Sequence, residues 1–113
     1  MIMPDLYIPS KGDVVWLDFS PQAGHEQSGN RPALCLSPKE YNEKTGLAIF
    51  CPITSQSKGY PFEVSIPDNI TIHGVVLSDQ LKSLDWRTRN ARFACTLPDK
   101  QLTEVLGKLR TLL

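Results

Sequence analysis

Apolar residues in this chain arrive in short blocks, each closed by glycine, proline or a polar cluster. Residues 12–19 read GDVVWLDF, 31–37 RPALCLS, 47–53 LAIFCPI, 61–66 PFEVSI and 74–78 GVVLS. Blocks of this length, rich in Val, Ile, Phe and Trp and bounded by turn residues, are strands. Residues 90–95 read as one more short strand. After Pro98 the period changes. Leu102, Val105, Leu106, Leu109 and Leu112 or Leu113 fall at i, i+3, i+4, i+7 spacing, which predicts a helix over 98–113 with one apolar stripe. Many short strands and one terminal helix leave few architectures. The fold class read from this pattern is mainly β, a small curled sheet or barrel with a C-terminal helix docked on it.

The details of the blocks sharpen this reading. The run at 12–19 is nearly unbroken, so both faces of that strand are expected to be at least partly covered. Pro32 suits the first residue of a strand. Ser37-Pro38-Lys39-Glu40 has the capping-box pattern and predicts a turn or two of helix, followed by a turn at 43–46. Pro52 points to a bulge or an edge. Residues 79–84 are read as continuing the fifth strand past a bend, with a turn at 85–88. Thr96 and Asp99 are candidate caps for the terminal helix. Residues 1–11, broken by Pro4 and Pro9, are read as an arm.

At 113 residues the chain is read as one domain, 1–113, long enough to bury roughly two-thirds of its unfolded surface without staples. Its 12 basic and 12 acidic residues cancel, so net charge does not advertise a polyanion partner. Distribution says more. Lys82, Arg87, Arg89 and Arg92 cluster around a lone Asp85, a local basic segment that suits a polyanion site and equally suits a solvated face. Cys35, Cys51 and Cys95 each sit in an apolar run without metal or CxxC spacing, as small buried hydrophobes in a reducing compartment do. His25 and His73 lie far from ligand spacing with any of them, so no metal site and no cofactor are expected. Residues 1–10 lack the apolar core of a signal peptide, and no run approaches a membrane span. The expected location is cytoplasmic.

Two polar loops carry the candidate chemistry. Residues 24–30, GHEQSGN, lead into Arg31-Pro32 and a buried strand; residues 54–60, TSQSKGY, follow another. A guanidinium gives two parallel charge-assisted hydrogen bonds and is well shaped to hold a phosphate. Cleavage of RNA by its own 2′-hydroxyl needs a base, cations that neutralise the phosphorane, and an acid for the leaving 5′-oxygen. Glu26 can serve as the base, with Arg31 as clamp and electrostatic stabiliser and Thr54 and Ser55 as hydrogen-bonding partners of the same oxygens. Arginine does not readily give up a proton, so the acid is left to water or to another group. Each residue also has a plain reading: Arg31 as a surface ion pair, Glu26 as solvated, Thr54 as a turn cap. His25 ranks below Glu26 as a base, and Trp16 reads as core. Trp86 is balanced between packing and base stacking. Lys58 and Lys82 are phosphate contacts or plain surface lysines.

Taken together, GDVVWLDFSPQAGHEQSGNRPALCLSP, TSQSKGYPFEV and LSDQLKSLDWR, in this order and spacing, resemble the MazF/PemK toxins of type II toxin–antitoxin systems. The likeness runs from about Gly12 to the terminal helix. It implies an SH3-like barrel of the PemK/CcdB type that forms a homodimer. It implies a metal-independent, sequence-specific endoribonuclease that cuts single-stranded RNA, chiefly mRNA, leaving a 2′,3′-cyclic phosphate and a 5′-hydroxyl. The family's G-x-R-P arginine falls on Arg31, its post-strand threonine on Thr54 and its loop glutamate on Glu26. RNA binding is then expected from Gln27 and Asn30 in the first loop and from Ser55, Gln56 and Lys58 in the second. Gln80, Lys82, Ser83, Trp86 and Arg87 complete that set. Ser55 departs from a frequent threonine but keeps the hydroxyl. The implied partner is a MazE-like antitoxin whose disordered acidic and hydrophobic tail covers the RNA groove.

Two rivals come from other classes. A non-enzymatic, CcdB-like toxin that binds DNA gyrase shares the fold and would not need Arg31 and Thr54. A peptide-binding SH3-like adaptor would need an exposed aromatic groove.

Overall fold

The computed structural model describes residues 6–19 and 29–113. Its strands are β1 (Asp13–Phe19), β2 (Gly29–Cys35), β3 (Leu47–Thr54), β4 (Glu63–Ser65), β5 (Val75–Leu77), β6 (Lys82–Asp85) and β7 (Arg92–Thr96). Helix α1 (Lys39–Thr45) joins β2 to β3, and helix α2 (Asp99–Arg110) follows β7. The paired strands are antiparallel and run in the order β4-β5-β3-β2-β1-β7, with β6 also on β3. This is the mainly β, curled half-barrel with a C-terminal helix that the blocks predict.

Strand β3 organises the sheet. One side pairs with β2. The other is shared: Leu47–Phe50 pair with β6, and Ile53–Thr54 pair with β5. The stretch 79–84 therefore does not extend β5 past a bend. The chain turns after Leu77, where the Gln80 amide donates to the Leu77 carbonyl at 3.1 Å, and β6 returns to the opposite half of β3.

The inner strands are buried on both faces, and period-2 alternation sorts their side chains into two clusters. Val14, Leu34, Cys51 and Ile53 pack with Val64, Val76 and helix α2. Val15, Leu17, Ala33, Cys35, Ala48 and Phe50 pack with Trp86, and with Tyr7 and Ile8 at their margin. The described part of the N-terminal arm is thus tied down. Asp13 accepts hydrogen bonds from the Tyr7 hydroxyl at 2.6 Å and the Ser10 amide at 3.0 Å.

Helix α2 presents Val105 and Leu109 to the first cluster, with Leu102 and Leu106 beside them. Burying side chains of this kind contributes about 1.5–3 kcal/mol each. The stripe ends there: Leu112 and Leu113 are exposed, because the helix stops at Arg110. Its first turn starts at Pro98 with no side-chain cap, so neither Thr96 nor Asp99 plays that part; Asp99 instead sits in the first turn, where a negative charge is favoured.

Helix α1 runs through the turn expected at 43–46. It ends at Gly46, whose φ of 74° makes the left-handed C-cap and whose amide bonds the Asn42 carbonyl at 3.0 Å. The capping box does not form. The Ser37 hydroxyl accepts from the Ile49 amide at 2.8 Å and donates to the Asn42 side chain instead. Buried Asn42 also donates to the carbonyls of Pro9 and Ser37, at 2.7 and 3.1 Å, and its own carbonyl accepts from Trp86 Nε1 at 2.9 Å. The Asn42 side chain thereby joins the arm to the β2–α1 connection, and its backbone carbonyl ties in the turn after β6.

Candidate active site

Strand β2 changes character midway. Gly29, Asn30 and Arg31 are exposed, whereas Ala33, Leu34 and Cys35 are buried. Arg31 lies inside the paired strand, opposite Leu17 of β1, and not at its start as the sequence suggests. The buried half of β2 anchors a short exposed extension that carries the guanidinium.

The β2–β3 register pairs Ala33 with Pro52, Leu34 with Cys51 and Cys35 with Phe50. The ladder ends there, and Arg31 and Thr54 each lie two residues beyond its last pair. Both line one open cleft of about 590 Å³, together with Asn30, Pro32, Ser55 and Gln56. Its remaining walls are Trp16 and Ile53 from the sheet and Thr71, Ile72 and His73 from the loop before β5. The Thr54 hydroxyl accepts from the Gln56 amide at 3.2 Å. Its own proton remains to be donated to a ligand, because a hydroxyl can do both.

Thr54 is held from the β5 side by two adjacent residues. It pairs with Val75 of β5. Its carbonyl is also approached closely by Gly74, at φ +121°, where a Cβ would lie 2.1 Å from Thr54 O and 3.0 Å from Ser55 Cα. Only glycine fits there, in conformation and in space.

The second loop is braced by a carboxylate. Glu63 accepts from the Ser57 hydroxyl at 2.7 Å, the Lys58 amide at 3.0 Å and the Gly59 amide at 3.1 Å. The Lys58 amide and then the Ser57 hydroxyl hold its carboxyl below the usual glutamate range. The Lys108 ammonium of α2 bonds the Pro61 carbonyl at the loop's far end. Lys58 itself is exposed.

The basic segment lies elsewhere. Lys82 and Ser83 are exposed on β6, opposite Phe50 and Ile49. Phe50 is four residues from Thr54, or roughly 13 Å along a strand. Gln80 is exposed in the turn before β6. Arg92 is paired with Asp18 at 3.1 Å. The Arg89 guanidinium reaches the Asp18 carbonyl at 3.5 Å. Asp85 accepts from the amides of Thr88 and Arg87, at 2.9 and 3.0 Å, and is held below the usual carboxylate range, first by the Thr88 amide. Trp86 is a correction: it is 1% exposed, in the core, and offers no face to a base. The exposed Arg87 guanidinium lies over its ring, 4.9 Å from the centroid.

Glu26 and Gln27 lie outside the described residues. Among the described ones, no group of three His, Cys, Asp or Glu side chains is placed to hold a metal. Burial pushes the Cys51 thiol up to about 12 and raises that of Cys35, so both pack as inert hydrophobes.

Residues 10–113 match the family model described as PemK-like, MazF-like toxin of type II toxin–antitoxin systems. The chain belongs to that family. Among other MazF-like proteins, it is 45% identical over 111 residues to the endoribonuclease toxin MazF of Escherichia coli K12, covering 98% of this chain and 99% of that one. It is 35% identical over 108 residues to the endoribonuclease PemK of Escherichia coli, covering 91% and 80%. A solved MazE–MazF crystal structure from Deinococcus radiodurans superposes with a TM-score of 0.89 at 56% identity, over 94% of this chain and 96% of that one.

In this MazF-like toxin the cleft therefore unites Arg31, Thr54, Asn30, Ser55 and Gln56, and leaves Lys58, Gln80, Lys82, Ser83 and Arg87 on surfaces beyond its walls. Sequence reasoning missed Gly74 and His73 as site residues. A glycine directly before an apolar strand was the available signal for the first. Nothing local marks His73, whose place depends on the pairing of β5 with β3. Among the described residues no helix is long and apolar enough to cross a membrane.

Proposed function

We propose that this toxin is an endoribonuclease that cuts single-stranded RNA, mRNA above all, at a preferred short sequence, with the Arg31–Thr54 cleft as its active site. The observation that carries this reading is the convergence of an exposed strand-borne guanidinium and a backbone-clamped hydroxyl on one open cleft. The endoribonuclease names of the relatives support it.

In this mechanism the scissile phosphate sits on Arg31 and Thr54. Glu26, three residues before Gly29, takes the 2′-hydroxyl proton. The 2′-oxygen attacks phosphorus, and the guanidinium and the Thr54 hydroxyl stabilise the charge on the non-bridging oxygens. The bond to the 5′-oxygen breaks and that oxygen takes a proton from water or another group, giving a 2′,3′-cyclic phosphate and a 5′-hydroxyl. No metal or cofactor is required by these steps. Asn30, Ser55 and Gln56 border the phosphate. Lys58, with Gln80, Lys82, Ser83 and Arg87, extends the RNA path across the surface, and Gln27 contributes from the first loop.

The functional unit in this reading is one toxin domain, residues 1–113, acting in the cytoplasm as a homodimer. Its antagonist is a MazE-like antitoxin, a partner supported by the MazE–MazF structure of the Deinococcus relative. Induced expression in a bacterial host tests the function. Growth arrest with fragmented mRNA, relieved by a cognate MazE-like protein and lost with Arg31→Ala, is the expected result. Arrest that survives Arg31→Ala, with RNA intact, would instead mark a gyrase-binding poison.

A further inference from the structure

The two tryptophans exchange the roles that their neighbours in the sequence suggest. Trp86, set among charged residues, is core. Trp16, set in the apolar run of β1, is only partly buried. Its side chain packs against the first core cluster, and the residue lines the cleft that holds Arg31 and Thr54.

Strand pairing explains this position. Trp16 lies directly opposite Pro32 in the β1–β2 ladder, as Leu17 lies opposite Arg31. Such a pair shares one face of the sheet, with Cβ atoms about 4.5–5.5 Å apart. Two residues along, Val14 and Leu34 form the next pair on that face, and both are fully buried in the first cluster. Trp16 and Pro32 are only partly buried. The core face therefore opens into the cleft at this pair. The indole stands at that opening, on the strand next to the one that carries the guanidinium, and neighbouring strands lie about 4.7–4.9 Å apart.

We infer that Trp16 is a stacking platform for the base of one of the two nucleotides joined by the scissile phosphate. The inference rests on the ribonuclease reading, because it takes that phosphate to sit on Arg31 and Thr54. Single-stranded nucleic acid is held by stacking base faces on aromatic side chains beside cations that track the backbone. Trp16 and Arg31 supply those two parts from adjacent strands, and Pro32 and Ile53 add apolar surface to the same cleft. The core behind the indole already restrains it, so little side-chain freedom is lost when a base stacks there. Every base has a π-face, so this contact contributes affinity and orientation with little discrimination among bases.

The test uses a short RNA spanning a cut site mapped first in a long single-stranded RNA. The attacking 2′-hydroxyl is replaced by hydrogen, so that the RNA binds without being cut. The chain has two tryptophans, so the indole emission of Trp86→Phe is that of Trp16. Bound RNA is expected to quench it. Two further RNAs each lack one of the bases that flank the cut. One of them should bind without quenching and about 5–150-fold more weakly, the range of one base–aromatic contact. Trp16→Leu should weaken binding of the intact RNA by a similar factor and lose nothing more when that base is removed. Trp16→Phe, which keeps a ring, should recover most of the affinity, and thermal melts check that each variant folds. Emission that bound RNA leaves unchanged overturns the inference. So do losses from Trp16→Leu and from base removal that simply add. If wild type cuts the long RNA nowhere, the ribonuclease reading itself fails, and the inference with it.

Discussion

Arg31 and Thr54 each lie two residues beyond Ala33 and Pro52, the last pair of the β2–β3 ladder, and both line the same cleft. The buried halves of the two strands fix the spacing of the exposed ends. The site is therefore only as rigid as the pairing behind it.

That relationship predicts how Arg31 tolerates change. Its side chain is exposed, so Arg31→Ala should leave the melting temperature nearly unchanged. It should lower kcat by at least about 10²–10³-fold, the usual loss on removing one transition-state donor. Arg31→Lys keeps the charge but loses the planar fork, and should fall between the two. Steady-state cleavage assays beside thermal melts check this. Full activity in Arg31→Ala would remove the residue from the site.

Thr54 is expected to act through its hydroxyl. Thr54→Ser should retain most activity, whereas Thr54→Val, nearly the same shape, should lose it. Thr54→Val also leaves the Gln56 amide without its acceptor, at a cost of about 1 kcal/mol in stability. Equal rates for the serine and valine variants would contradict a hydroxyl role.

Gly74 should tolerate no side chain. Gly74→Ala forces a Cβ into a space 2.1 Å from Thr54 O at a positive φ. A loss of about 1–3 kcal/mol in stability is expected from the strain, with a further loss of kcat as Thr54 moves. Denaturant unfolding and kinetics on the same sample separate the two effects. A variant as stable and active as wild type would refute the clamp.

The Glu63 brace carries a pH dependence. Its folded carboxyl titrates below the ordinary glutamate range, so its contribution is present above that range and is lost as the pH falls through the lowered folded value. At pH 7, Glu63→Gln should melt earlier than wild type, and the gap should close at acidic pH. The loop bearing Lys58 should loosen, raising KM for RNA while sparing kcat. A gap that widens on acidification would have the wrong sign.

Trp86 tests the line between core and site. Trp86→Phe removes the hydrogen bond to the Asn42 carbonyl and should cost about 0.5–1.5 kcal/mol. Its RNA affinity should be that of wild type, because the indole is buried. A weakened RNA complex with unchanged stability would restore the stacking role.

Trp86 also shows where the sequence stops being readable. Its neighbours Asp85, Arg87 and Arg89 suggest an exposed turn, and the turn is exposed. The indole points inward because β6 pairs with β3 and brings it over Phe50. That pairing joins residues far apart in the chain, and no local pattern encodes it. Ser37 failed similarly: its hydroxyl suits a helix cap, but Asn42 and the Ile49 amide, met only in the folded chain, compete for it. The strands, α2 and the Arg31–Thr54 set were legible because they depend on short-range periodicity and on residue chemistry. Gly74 and His73 were not, since their meaning lies in the approach of β5 to Thr54.

The most direct test of the account is cleavage of a long single-stranded RNA by the purified protein in EDTA, with both new ends mapped, beside Arg31→Ala. Cuts recurring at one short sequence, bearing 2′,3′-cyclic phosphate and 5′-hydroxyl ends and absent in the variant, are predicted. Folded wild-type protein that leaves the RNA intact, or Arg31→Ala that cuts as well as wild type, would contradict the claim that the Arg31–Thr54 cleft is a ribonuclease site.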